Sequence, residues 1–583
     1  MSRNRARLLN APRVQPEPTG GGVVARPLPP DCPVKALGMV PGDTPTAVFL
    51  TASGTIAKMS GQQLGQGNLD ALFAPRNQWL WQTWPKVDKN GRVTNVRAEL
   101  ARGDLLAAAG ARGIWNELER VRGAGAWAAQ DNALVLHLGD RVLVADQVHP
   151  WGEIDGYVYP AAAAMLGPAR EPQPDGPLGP AHTLFGLLRT WNWRHEVAPR
   201  LMLGWVCAAQ LGGALPWRPA VWPTGDRGTG KSSLIELIKS VLGPNAAITT
   251  NNTTAAGIRQ ALRDKSVPVL LDELEASDDG GDAVQRVIEL LRQSSSGGTG
   301  LRGGSEHRGA VFQIRSPMLA ASIIVPPLRA QDRSRIAVLE LRPLGEDAIA
   351  PSLSVHALQE LGQRLLRRLV DNWPLLRERL EIWRAHLATH ARLDARGQDQ
   401  YGTLLACADI ALHDVAPDPD TTEEIVGRRG QAGGLCEMLG DLSSDDVEDW
   451  RRCLDQILTA QAQVYRGGDQ LTLDVLVAQA AGRRPAQDPD QAQRALATYG
   501  LRVVLEDGAW WLAVANQHRE LARLFERSIW GARSGATGGW RQTLLRTPGA
   551  RSRVAALRFE GLQSKVSLVP LAVALNDGGP FDA

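Results

Sequence analysis

Gly225-Asp-Arg-Gly228-Thr229-Gly230-Lys231-Ser232 sets three glycines, a lysine and a hydroxyl at the spacing G-x4-G-K-[ST]. Residues of these types at this spacing hold phosphates. The glycines let backbone N–H groups turn inward, and a helix that follows adds its positive end. Gly225, Gly228, Thr229, Gly230, Lys231, Ser232 and Ser233 form the expected ATP-binding set, with Lys231 on the β- and γ-phosphates and Ser232 on Mg²⁺. Forty residues after Ser232, the apolar run Val267-Pro-Val-Leu-Leu ends in Asp272-Glu273. A buried strand ending there delivers Asp272 to the water shell of Mg²⁺ and Glu273 to an attacking water as general base. Glu275, close behind, reads equally well as a solvated carboxylate.

These groups need a scaffold, and the flanking sequence supplies one. Ala220-Val-Trp-Pro-Thr reads as a strand before the glycine loop, and Ser233–Leu242 as an amphipathic helix stopped by Gly243-Pro244. A further apolar strand begins at Met318. In ATPases with an additional strand between the glycine-loop strand and the acidic strand, that strand ends in a small polar residue sensing the γ-phosphate. Ser316 and Ser322 are the candidates; Ser322 is favoured, and the alternative is a packed core serine. Gln331-Asp-Arg333-Ser-Arg335 then leads into a strand over Ile336–Leu341. Either arginine can serve as a finger on a neighbouring subunit's γ-phosphate, or both can be surface arginines of an Arg-rich chain.

At 583 residues the chain is too long for one core. Residues 1–30 read as a disordered leader, 33–166 as an N-terminal α+β accessory domain with strands at Ala133–Leu138 and Arg141–Val144, and 167–180 as a linker. The ATPase domain is expected over 181–345, opening with a helical stretch from His182 that carries Trp191, Trp193 and Trp205. A helical subdomain over 350–413 and a C-terminal α+β domain over 423–583, for which a winged-helix-like fold is one reading, complete the plan. The 8 Lys against 56 Arg reflect genome composition or phosphate contacts, with the first explanation given more weight. Five scattered cysteines without a CxxC pair argue against zinc and disulfides, and no apolar run is long enough to span a membrane. A cytoplasmic protein without a membrane partner is the expectation.

The strings PTGDRGTGKSSLIELIKSVLG, TTNNTTAAGIRQAL, PVLLDELE, SPMLAASIIVPPL and QDRSRIAVLEL follow one another between Ala220 and Leu341. In this order they resemble the AAA+ module of phage- and plasmid-encoded replicative helicases, related to superfamily 3 and to the helicase half of phage primase–helicases. A weaker likeness extends into AWWLAVANQHRELARLF and the segments after it. The resemblance implies a P-loop NTPase αβα sandwich, a ring, expected to be a homo-hexamer, with ATP and Mg²⁺ between subunits, and single-stranded or forked DNA in the channel. A primase or an initiator is the implied replication partner. Superfamily 3 ends the sensor strand in Asn, where this chain has Ser322. No primase signature is present, because Asp418-Pro-Asp420 and Asp488-Pro-Asp490 read as turns rather than metal sites.

DNA contacts have three candidate locations. Ser294–Gly309 is rich in glycine and carries Arg302, His307 and Arg308, which suit moving phosphate contacts in a channel; a mobile polar surface loop is the alternative. Arg519–Lys565 holds nine Arg and one Lys against three Glu, interleaved with Trp530, Trp540 and Phe559. Those aromatics are either a nucleic-acid surface or, by a small margin the better reading, core. Trp79-Leu-Trp81-Gln-Thr-Trp84 is read as core rather than a stacking platform. The expected activity is an ATP-dependent DNA helicase or translocase in phage or mobile-element replication. Its rivals are an AAA+ ATPase that remodels protein or acts in phage defence, and an ATP-gated DNA-binding initiator.

Overall fold

The computed structural model describes residues 27–575 apart from 43, 251–253, 275–280, 303–309, 327, 329, 346–352, 429–432, 445–448, 464–469, 486–487, 527, 529 and 531–538. The chain forms two compact units. One holds the described residues up to Val426 except 328–331; the other holds those four and the residues from Gly427 onward.

At the centre of the first unit is a parallel sheet of five strands, β1 (Ala220–Thr224), β2 (Ile248–Thr250), β3 (Val269–Leu271), β4 (Met318–Ala320) and β5 (Ile336–Glu340), in the order β2-β3-β4-β1-β5. Parallel strands covered on both faces read as unbroken apolar runs. All three residues of β3 and of β4 are buried, as are the first four of β1. β4 therefore stands between the strand that feeds the glycine loop and the strand that ends in the acidic pair. The chain is thus mixed α/β around a parallel sheet.

Helices α1 (Ala198–Leu211), α2 (Lys231–Leu242), α3 (Ala255–Leu262) and α4 (Gly281–Ser296) precede β4, and α5 (Val355–Asp371), α6 (Leu376–Thr389) and α7 (Ala395–Leu412) follow β5. α2 buries Leu234, Ile235, Leu237, Ile238, Val241 and Leu242, and ends at Gly243 with φ +89°. The stretch 350–413, which reads in sequence as a subdomain of its own, belongs to this first unit. α5 lies so close to α2 that a Cβ on Gly362 would stand 1.7 Å from the Val241 carbonyl oxygen. α7 approaches α1 in the same way, with Gly204 against the Leu404 carbonyl at 1.9 Å. Three- and four-residue spacing marks an apolar helix face but does not identify what covers it. Two side-chain-free crossings decide that here.

The N-terminal region is α+β. An antiparallel sheet, Lys35–Val40, Thr46–Leu50 and Ile56–Ser60, packs with the helix Ala98–Ala111, and a four-stranded meander spans 125–150, including Leu134–His137 and Arg141–Val144. The meander is joined to the chain just before β3. Gly123 N donates to Asp264 O at 2.9 Å, Ser266 N to Ala124 O at 3.0 Å and Ser266 Oγ to Ala126 O at 2.9 Å. Trp84 is buried with its Nε1 donating to Asp104, and Trp79 stacks on Phe73, so the tryptophans at 79 and 84 are core, while Trp81 is partly exposed. The linker 167–180 is irregular but held along α5. Arg364 donates to Gln173 Oε1 and Arg368 to Gln173 O.

In the second unit, helices including α8 (Asp449–Leu458) and α9 (Leu473–Ala480) precede an antiparallel sheet of Leu501–Glu506, Ala509–Ala515, Val566–Pro570 and Arg551–Ser552. Trp530, Trp540 and Phe559 are buried in its core; Trp540 stacks on Phe525 and donates to Ala515 O. The nucleic-acid reading of these aromatics is therefore corrected to a packing role. Asp418 and Asp488 lie at helix starts, Asp488 accepting from Asp490 N as an N-cap, as expected of short polar side chains followed by proline. All five cysteines are buried thiols. Among the described residues no helix is long and apolar enough to cross a membrane.

Candidate active site

The glycine loop connects β1 to α2 through backbone that only glycine adopts easily. Gly225, Gly228 and Gly230 have φ of +150°, +85° and +84°. A Cβ on Gly225 would lie 2.2 Å from Leu341 O, and one on Gly230 would lie 2.8 Å from Trp191 Nε1. Thr229 is fully buried and its hydroxyl donates to Asp226 O at 2.9 Å, which pins the bend. The Lys231 ammonium donates to Gly225 O at 2.5 Å and Asp226 O at 2.9 Å, so it lies across the mouth of the loop. Ser232 and Ser233 are exposed in the first turn of α2, which carries no acidic residue to oppose an anion.

Strand register brings the acidic pair to the same edge. Leu271 stands opposite Ala320 on one side of β4, and Thr224 bridges Ser322 on the other. Past Leu271 the ladder carries one extra residue, Leu274 N rather than Glu273 N donating to Ala321 O, so the acidic pair leaves β3 beside the end of β4 that reaches Thr224. With one strand between them, β1 and β3 run about 10 Å apart. That gap suits a phosphate and a hydrated cation. Asp272 N donates to Thr250 O, and Asp272 Oδ1 accepts from Glu273 N at 3.0 Å, which fixes the half-buried carboxylate. Glu273 is exposed and has φ +55°. A left-handed non-glycine backbone costs on the order of 1 kcal/mol and clusters at functional sites.

The glycine cradle, the lysine, the first-turn hydroxyl and the two carboxylates fit ATP with Mg²⁺ in residue type and in placement. A Cβ on Gly225 or on Gly230 would collide with Leu341 O or Trp191 Nε1, whereas at Gly228 only the positive φ demands glycine.

Ser322 does not face this edge. It is 1% exposed, its Oγ accepts from Trp222 Nε1 at 2.9 Å and donates to Ile324 O at 2.8 Å. The Ser322 hydroxyl is thus already engaged within the packing, as in the alternative reading of a packed serine. Ser316 is buried before the first residue of β4, at the opposite edge of the sheet, where Ser294 donates to its carbonyl.

Arg333 and Arg335 also lie away from the chain's own glycine loop. Ile336 pairs with Ala220, the first residue of β1, so both arginines precede the amino edge while the loop leaves the carboxyl edge. Both are half-buried; Arg335 N donates to Asp332 O, and Asp332 pairs with Arg292 at 3.3 Å. Burial, then the charges of Arg396 and Arg292, hold Arg335 below its usual pKa. Arg302 ends the first strand of a hairpin, Thr299–Arg302 with Ala310–Gln313, inserted between α4 and β4. His307, Arg308 and Glu275 lie outside the described residues.

Sequence reading missed three contributors next to the loop. Trp191 and Trp193, expected in a helix, lie beyond the helix Pro180–Leu188 in a segment that runs against the end of β5. Trp191 Nε1 donates to Gly230 O at 3.0 Å, Asn192 Nδ2 to Pro343 O at 2.7 Å, and Arg194 pairs with Glu340 at 2.7 Å. The string Trp-Asn-Trp-Arg is the only local signal, and it names no partner. At the other end of β1, buried Gln400 donates to Ala220 O at 2.6 Å and accepts from Trp217 Nε1 at 3.1 Å.

No family model matches the chain, and no curated protein matches it. Solved structures similar to it include the apo structure of the NrS-1 C terminal region (305-718), at 11% identity and TM-score 0.35, covering 92% of this chain and 96% of that one. An A form of the same region has TM-score 0.34 at 11% identity, with the same coverage. Likeness at this level carries no assignment of function.

Proposed function

We propose that the chain is a P-loop ATPase of the AAA+ type that drives translocation on DNA, as a helicase in phage or mobile-element replication. One observation carries the ATPase reading: a glycine loop with Lys231 and the pair Asp272-Glu273 share the carboxyl edge of a parallel sheet, separated by one inserted strand. In this reading the first-turn amides and Lys231 bind and orient the phosphates, and Ser232 with Asp272 holds Mg²⁺. The metal when bound neutralises charge on the transferring phosphoryl group. Glu273, exposed at the strand end, takes the proton of the attacking water.

Placement of Arg333 and Arg335 toward the amino edge supports a ring. They are remote from the chain's own loop, so a part in hydrolysis would be played at a neighbour's. The inserted hairpin whose first strand ends at Arg302 supports DNA contact, because the glycines and cations in the sequence between Ser294 and Gly309 suit salt-sensitive, sequence-tolerant binding.

The test is steady-state ATP hydrolysis with and without single-stranded DNA, followed by strand separation on a fork. The reading predicts hydrolysis stimulated by DNA and abolished by Lys231→Ala. Robust hydrolysis indifferent to nucleic acid would sink the translocase and favour an ATPase acting on protein.

A further inference from the structure

The second unit encloses a cavity of about 290 Å³ between α8, α9 and the short helix Leu571–Ala574. A water molecule occupies about 30 Å³, and small-molecule sites begin at about 300 Å³, so this space is ligand-sized. Its polar lining is Arg451, Asp455, Thr459, Asp474, Arg483 and Arg484.

One wall is preorganised. Arg451 donates from Nη1 to Val573 O at 2.7 Å and pairs through Nη2 with Asp455 at 2.7 Å, which fixes the guanidinium across α8 and the C-terminal helix. Facing it on α9, Asp474 Oδ1 is buried and accepts no hydrogen bond. The Asp474 carboxylate lines the cavity and offers an acceptor to a donor on a ligand. Above Asp474 the chain turns at Gly482, φ +69°, and the amides of Arg483 and Arg484 both donate to Ala478 O, at 2.9 and 3.3 Å. That wrap holds two consecutive, exposed arginines at the cavity rim. Guanidinium forks match phosphate oxygens in shape and charge.

We infer that this cavity binds a phosphate ester that also carries a hydroxyl or amino donor. The phosphate is held by Arg483 and Arg484, and the donor meets Asp474. A nucleotide has this chemistry, whether free or as the phosphorylated 5′ end of a strand. The inference does not rest on the ATPase reading, since it uses residues of the second unit alone.

The test uses the full chain carrying Lys231→Ala, which silences the glycine loop and leaves this site intact. Fluorescence anisotropy compares a 5′-phosphorylated oligodeoxyadenylate, whose adenines carry amino donors, with its 5′-hydroxyl form, and AMP is added as a competitor. The phosphorylated strand is expected to bind about tenfold more tightly, a preference that Arg483→Ala with Arg484→Ala removes. Asp474→Asn is expected to weaken binding without erasing the preference, because the amide retains an acceptor oxygen but loses the charge. Competition by AMP identifies the free nucleotide as a ligand, and its absence identifies the strand end; both sustain the inference. Both arginines are exposed, so the double variant should melt with its parent. If neither AMP nor the 5′-phosphate binds the parent better than the folded double variant, the cavity is water-filled and the inference is overturned.

Discussion

The two edges of the central sheet are built from opposite chemistry. At the carboxyl edge, the glycine loop, Lys231, Ser232 and Glu273 lie half-buried or exposed, and their backbone is bent where glycine or strain permits. At the amino edge, several polar groups are buried and matched, although the Ser316 hydroxyl has no partner among the described residues. Gln400 spans Ala220 and Trp217, Arg218 donates to Leu215 O and Ser294 O, and Ser294 donates to Ser316 O. Burial, then the charge of Arg315, pushes Arg218 down to about 10, yet its donors are occupied. One edge is clamped so that the other can stay open to a ligand. Changes at the carboxyl edge should therefore cost activity and little stability, and changes at the clamped end and along the helices behind it should do the reverse.

The largest expected effect belongs to Glu273→Gln. Loss of a positioned base lowers kcat about 10²–10⁴-fold. The urea unfolding midpoint should stay at the wild-type value, because the side chain is exposed. A fall in stability to match the loss of activity would break the contrast between the edges.

Gly362→Leu probes the opposite case. With Val241 O only 1.7 Å from a Cβ there, α5 must separate from α2, and overpacking of this kind costs about 1–3 kcal/mol or more. Chemical denaturation should register the loss even in protein that still binds nucleotide. An unchanged midpoint would mean that the helices after β5 are not fixed to the glycine-loop helix.

Ser322→Ala is smaller and sharper, because it separates the two readings of that residue. Trp222 Nε1 would lose its buried acceptor, a cost of about 1–3 kcal/mol. Turnover under saturating ATP should remain within about threefold of wild type, well short of the effect of removing a catalytic group. A hundredfold drop in kcat without loss of stability would restore the sensor role.

Asp409 gives the smallest effect, a change in pH dependence. Burial pushes its carboxyl up to about 6 despite Arg379 at 2.9 Å and the charge of Arg200. A raised folded pKa gives stability that is fully present below the unfolded value near 4 and is lost as pH rises through about 6. Asp409→Asn should flatten the stability profile across that window, and an unaltered slope would assign it to other groups.

The carboxyl edge was largely legible in the sequence because its chemistry demands fixed residue types at short spacing, as in Gly225–Ser232, or at a strand end, as in Asp272-Glu273. The amino edge was not. Gln400 meets Ala220 across 180 positions, and nothing local distinguishes it from an ordinary glutamine. The aromatics Trp530, Trp540 and Phe559 illustrate the same limit. Core was the favoured reading by only a small margin because charge surrounds them, and the core they fill is assembled from helices and strands between Cys453 and Ala574.

The measurement that bears most directly on the ATPase claim is equilibrium binding of MgATP, with turnover followed in the same samples, for wild type, Lys231→Ala and Glu273→Gln. The arrangement of the carboxyl edge predicts that Glu273→Gln binds MgATP like wild type but fails to turn it over, while Lys231→Ala loses binding. Wild-type turnover by Glu273→Gln, or wild-type binding by Lys231→Ala, would contradict it.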